Sequence, residues 1–279
     1  GAEAVRAVDV TALYRDHGIL TYDPGFMSTA ACRISEITFI DGDEGIMRYR
    51  GIDIGDLIGV RGGFGSVAHL LLHGALPSDS ERQEFLQELK AEYHVSDDVL
   101  RVIQTFSHDS HPIAILLAAI SVLADKYQNC GELPTRKAVI AIAKIPGIVA
   151  SIYRHVTNAA FIAADEDLEY TENFLHMMFG GADGTLSASI CSALDAIFIM
   201  HADHEQTMLH ASTTSVRMTG SSGANLFACV CSGIATLWGP LHGGVNEAVI
   251  RMLEEFGDPK NVHSFLEQVN DNKSKVRLM

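Results

Sequence analysis

Along most of the chain apolar residues recur every three to four positions, the period of helices that bury one face. Ser78-x-x-Glu81 forms a capping box, and Phe85, Leu89 and Tyr93 follow at helical spacing, which predicts an amphipathic surface helix. Ser96 caps the next helix, with Val99, Leu100, Val102, Ile103 and Phe106 on it. Pro112 opens a helix that is apolar on nearly every side through Ala124, so it belongs at the centre. Further helices are predicted over residues 135–156, bent at Pro146, and over 171–179, 187–205, 223–238 and 246–256. Only residues 33–51 depart from this period. There apolar and polar residues alternate on either side of Asp41-Gly42, a pair that favours tight turns, and predict one β-hairpin.

The chain therefore reads as all-α and multi-helical, with a small N-terminal β-hairpin. Residues 1–50 hold the N-terminal segment and hairpin, and 51–279 one helical domain, with no repeat, low-complexity tract or Pro/Ser-rich linker to divide it.

Apolar residues make up 47% and charged residues 20%, the composition of a chain that buries a core. Acidic residues number 35 against 20 basic, a net charge of -15 that repels a phosphate backbone, so no nucleic-acid partner is expected. A phosphorylated small molecule can still be held where basic residues converge. No run of about 18 apolar residues occurs. The longest runs, 113–124 and 226–241, are short or interrupted by Gly, Ser and Thr, which suits buried helices and gives no membrane partner. The five cysteines are odd in number and form no C-x-x-C pair, as core thiols in a reducing compartment would. Residues 1–10 carry acids and lack the basic-then-apolar order of a signal peptide, so any targeting segment is expected to have been removed or never to have existed.

Several local patterns invite chemistry and fail on inspection. Gly63-x-Gly65-x-x-Ala68 fits a loose dinucleotide fingerprint but lacks the strand and βαβ unit that would put a pyrophosphate on a helix N-terminus. Its glycines read better as the end of one helix, with Ser66 capping the next. Asp41-Gly-Asp-Glu-Gly45 begins like a calcium loop, yet Ile52 stands where the closing glutamate belongs. His204-Glu205 is followed by Met208 where an H-E-x-x-H zinc site needs histidine, so no metal is expected.

Two histidine groups survive. At about 100° per residue, His201 and His204 fall within about 60° of each other on the helical stripe of Leu194 and Ile197. They are either hydrogen-bonded core residues or a site at a helix end. His242 sits in Trp238-Gly-Pro-Leu-His-Gly-Gly244, a break between two helices. Flanking glycines let a ligand approach the backbone there, and a helix start disfavours imidazolium. A neutral histidine so placed can donate a hydrogen bond to a carbonyl oxygen as an enolate forms. The same residues also suit a plain turn whose histidine caps a helix.

Leu20-Thr-Tyr-Asp-Pro-Gly-Phe26, Asp41-Gly-Asp-Glu-Gly-Ile46 with Arg48-Tyr-Arg-Gly51, Asp109-Ser-His-Pro112, His201-Ala-Asp-His-Glu205, Ser221-Ser-Gly-Ala-Asn225 and Gly239-Pro-Leu-His-Gly-Gly244 occur in this order. In that register the chain resembles the bacterial-type citrate synthases over nearly its whole length. The resemblance implies a multi-helical large domain, assembled as a homodimer or hexamer, and condensation of acetyl-CoA with oxaloacetate, with acetyl-CoA as substrate and no resident cofactor. It implies that His242 donates to the acetyl-CoA thioester oxygen and that His204 contacts oxaloacetate. Arg50 is implied in a CoA-phosphate contact, and Arg277, with Lys273 and Lys275, belongs to the stretch where a CoA-recognising loop begins. The family's base and its second catalytic histidine lie in G-F-G-H-R and N-V-D-F motifs, and the chain stops at Arg277-Leu-Met279, just before the first. It is accordingly expected to be the N-terminal part of the large domain, truncated before the small domain and inactive alone.

One departure is local: Gln206-Thr-Met-Leu-His210 inserts three residues after the histidine and lacks the family's asparagine, a space that His210 could fill. Propionyl-CoA as the acyl donor, giving 2-methylcitrate, and a non-catalytic helical scaffold remain the alternatives. The compartment is expected to be the cytoplasm or the mitochondrial matrix.

Overall fold

A computed structural model describes His17 and residues 36–128, 134–180, 187–204, 211–239 and 243–270. Three short strands, β1 (Thr38–Asp41), β2 (Ile46–Tyr49) and β3 (Ile52–Asp53), pair antiparallel in sequence order. The first turn is tied by the Asp41 carboxylate, which accepts from the backbone N–H groups of Asp43 at 3.1 Å and Glu44 at 3.0 Å. Those are turn bonds, the use of aspartate that a hairpin requires. The second turn has two residues, Arg50 at φ 49° and Gly51 at φ 84°, between the paired Tyr49 and Ile52. Two consecutive left-handed residues match the twist of the flanking strands. The sheet thus gains a strand beyond residue 50, which the alternation did not reveal.

Twelve α-helices follow among the described residues: α1 (Ile54–Leu57), α2 (Gly63–His73), α3 (Asp79–Lys90), α4 (Asp97–Gln104), α5 (Pro112–Lys126), α6 (Pro134–Val156), α7 (Tyr170–Phe179), α8 (Ala188–Met200), α9 (Ala211–Ser221), α10 (Leu226–Leu237), α11 (Gly244–Phe256) and α12 (Val262–Asn270). The fold is all-α with a small sheet, as expected. The Ser78 and Glu81 capping box is formed. Ser66 does not cap: α2 already starts at Gly63, with Gly62 as its N-cap, and the Ser66 hydroxyl donates back to the Arg61 carbonyl at 2.7 Å.

The hub is α6, which packs against α3, α4, α5, α7 and α10. By length and composition it could cross a membrane, yet 61% of its apolar window is buried in the fold. Ile140, Ile148 and Ile152 join Ile103, Ile115, Ile120 and Phe227 in the main core. The helix runs through Pro146, which cannot donate to the carbonyl four residues back. The Tyr170 hydroxyl donates to that carbonyl, Ile142 O, at 2.9 Å. Lys144, nearly buried, donates to the Glu92 and His94 carbonyls and lies 3.1 Å from the Glu92 carboxylate, which also meets Arg136.

At α9 and α10 the helices approach closely, since a Cβ on Gly233 would come within 2.6 Å of Val216. Asn225 joins this pair to the core: its side chain accepts from Phe227 N–H at 2.8 Å, capping α10, and donates to Ala124 O at the end of α5.

Candidate active site

Helix α8 ends at Met200, with His201 as its C-cap, five residues short of the helix predicted from the sequence. His201 and His204 therefore share no helical stripe. The His201 ring nitrogen Nδ1 lies 2.8 Å from Ile197 O on its own helix, and His204 stands exposed beyond the turn.

The sheet determines where α8 stops. A helix leaves its last four carbonyls without intrahelical donors, and the fully buried Tyr49 of β2 reaches them: its hydroxyl lies 2.9 Å from Ile199 O and 3.3 Å from Met200 O. The same oxygen is 3.0 Å from Asp203 O and accepts from Asp203 N–H at 3.3 Å. A phenol has one proton to give, so it is shared among these carbonyls while the oxygen accepts. Burial, first, and then the charge of Asp203 raise the Tyr49 pKa, while the hydrogen bond with the Asp203 backbone opposes them. The neutral donor is thereby kept. From β1, the Thr38 hydroxyl donates to the Asp203 carboxylate.

Arg50 is only partly exposed, and its guanidinium donates to Leu71 O in the last turn of α2 at 3.1 Å. That is a helix-capping contact, and Nε is turned into the protein without a partner.

His242, Arg277, Lys273, Lys275, His210 and the Leu20-to-Phe26 motif lie outside the described residues. The flanks of the His242 segment are described. Gly244 N–H donates to Gly239 O at 3.2 Å, drawing the ends of the break together. A Cβ on Gly243 would run into the Leu237 carbonyl, so the closure needs glycine there, and one on Gly244 would lie a tight 3.0 Å from Gly239 O. His111 of the Asp109-Ser-His-Pro112 motif caps α5, its Nδ1 accepting from Ile113 N–H. Its ring stacks on Trp238 at 4.9 Å, and its Nε2 lies 3.9 Å from the Glu247 carboxylate in the first turn of α11. The motif thus touches both sides of the break.

A second polar cluster supports the start of α2. The Asp195 carboxylate of α8 accepts from Phe64 N–H at 3.1 Å and from the Thr171 hydroxyl at 2.6 Å. Gly63, at φ 53°, leaves it room. The helix N-terminus that the glycine pattern offered to a pyrophosphate holds a carboxylate of the protein itself.

Residues 25–279 match the family model described as citrate synthase, C-terminal domain. The chain belongs to the citrate synthase family. Among solved structures it is similar to citrate synthase from Thermoplasma acidophilum, in a ternary complex with carboxymethyl coenzyme A and oxaloacetate, at 28% identity and a TM-score of 0.79 over 88% of this chain. Similar too are the citrate synthases of Pyrobaculum aerophilum, at 29% identity and TM-score 0.77 over 89%, and of Thermotoga maritima, at 29% and 0.74 over 88%. The chain spans 64%, 63% and 63% of the length of these three structures, respectively.

Tyr49, Thr38 and His111 were not singled out by spacing. Tyr49 and His111 lay inside motifs that carried the resemblance, and the signal for Tyr49 was its place as the inward residue closing β2.

Proposed function

We propose that the protein carrying these residues condenses acetyl-CoA with oxaloacetate and water to give citrate and CoA. The observation that supports this best is the family match over 25–279, together with a fold shared with an enzyme solved with a CoA derivative and oxaloacetate. In this reading the acetyl methyl loses a proton to a base, the enolate carbon attacks the oxaloacetate carbonyl, and water cleaves the thioester. His242 donates a hydrogen bond to the thioester oxygen as enolate charge develops there. His204, on the turn held by Tyr49, contacts oxaloacetate.

Arg277 is assigned to CoA recognition. Arg50 is put forward for a CoA phosphate on the resemblance alone, because its guanidinium already caps α2. No resident cofactor is proposed. A homodimer or hexamer is the proposed assembly, supported by the apolar residues Ile190, Ile197 and Met200 of α8 and Met218 of α9, which are exposed in the single chain.

The test is oxaloacetate-dependent release of CoA thiol by the gene product, run with acetyl-CoA and with propionyl-CoA. A preference for acetyl-CoA is expected. Because one methyl in an apolar pocket is worth about 1–3 kcal/mol, the reverse preference would make the enzyme a 2-methylcitrate synthase. No release with either would favour a non-catalytic scaffold.

A further inference from the structure

The residue before His204 is held at three points by the sheet. Asp203 N–H donates to the Tyr49 hydroxyl, Asp203 O lies 3.0 Å from it, and the Asp203 carboxylate accepts from Thr38. Both partners come from strands more than 150 residues away in sequence, and Tyr49 is 0% exposed. With the Asp203 N–H and carboxylate both bonded and its C=O sharing the Tyr49 proton with the Ile199 and Met200 carbonyls, the backbone entering His204 is restrained. The hydroxyl also reaches the Ile199 carbonyl, so one side chain links the end of α8 to the turn. A side chain that binds a small dicarboxylate must be held to within about 0.5 Å to be productive, and an exposed histidine on an unsupported turn would not be.

We propose that Tyr49, seconded by Thr38, is a positioning residue for oxaloacetate: it fixes the His201-Ala-Asp-His204 turn and so aims His204 without touching substrate. This rests on the reading of His204 as the oxaloacetate contact.

The test compares Tyr49→Phe with Tyr170→Phe in the gene product. Each removes one hydroxyl bonded to a backbone carbonyl, at Ile199 and Ile142 respectively, but only the first lies at the His204 turn. Tyr49→Phe is expected to raise the KM for oxaloacetate about tenfold, the equivalent of one lost hydrogen bond, with the KM for acetyl-CoA unchanged. Tyr170→Phe is expected to lower the melting temperature while leaving both KM values in place. Thr38→Val, which removes only the Asp203 carboxylate's donor, serves if Tyr49→Phe does not fold, and is expected to raise the oxaloacetate KM about threefold. His204→Ala completes the set. An unchanged oxaloacetate KM in Tyr49→Phe and Thr38→Val, with His204→Ala raising it, overturns the positioning role alone. An unchanged KM in His204→Ala as well overturns the reading of His204 and the positioning role with it.

Discussion

Pro146 in the middle of α6 deprives Ile142 of its helical donor, and Tyr170 supplies another at 2.9 Å. If that pairing is what lets the hub helix continue past a proline, Tyr170→Phe leaves the carbonyl wanting, at a cost of about 1–2 kcal/mol. In a Pro146→Ala background the alanine N–H can bond Ile142 O in the ordinary way. The same Tyr170→Phe change should then cost well under half as much, giving a coupling of about 1 kcal/mol in the double-mutant cycle. The ring contacts of Tyr170 with Phe64 and Phe198 survive in phenylalanine and cancel between the arms. Urea denaturation of the four proteins measures each corner. Equal costs of Tyr170→Phe with and without the Pro146→Ala change would refute the pairing.

Other outcomes follow from named contacts. Lys144→Met should destabilise by about 1–3 kcal/mol in denaturant melts, because the Glu92 and His94 carbonyls lose their buried donor while the Glu92 carboxylate keeps Arg136. Gly63→Ala puts a Cβ 2.5 Å from the Asp195 carboxylate at a φ of 53°, and should cost about 1–3 kcal/mol and lower the melting temperature. Burial raises the pKa of Tyr49, that of Tyr93 to about 12, and that of Tyr170 further still. Unfolded tyrosines lose their protons near pH 10, so above that the unfolded state binds fewer protons than the folded one. Stability should be intact below about pH 10 and fall as pH rises toward 12, read by urea midpoints.

Several local determinants were legible in the sequence, although Ser66, expected to cap α2, does not do so. The Ser78 and Glu81 box, the Pro112 start of α5 and the turn aspartate Asp41 lie within a few residues of what they cap or close, and each formed. Ends fixed from a distance were not legible. The apolar pattern carried α8 on to residue 205, but a tyrosine from β2 takes its last carbonyls and stops it at Met200. Helix α9 was missed because Ala211–Ser221 is rich in Ser and Thr with no strong apolar stripe, and its close packing on Gly233 supports it instead. The helical stripe drawn through His201 and His204 failed for the same reason as the overlong α8. What pointed to His204 was the order of the motifs along the chain, and its physical setting became visible only with the strands in place.

The most direct measurement is of the bond formed. The gene product is incubated with methyl-13C acetyl-CoA and oxaloacetate, alongside its His242→Ala variant, and the products are resolved by mass. Citrate carrying the label as one methylene carbon is expected, its rate cut by at least about a hundredfold in His242→Ala, as for loss of an oxyanion donor. Labelled acetate without citrate, or undiminished citrate from His242→Ala, would contradict that expectation.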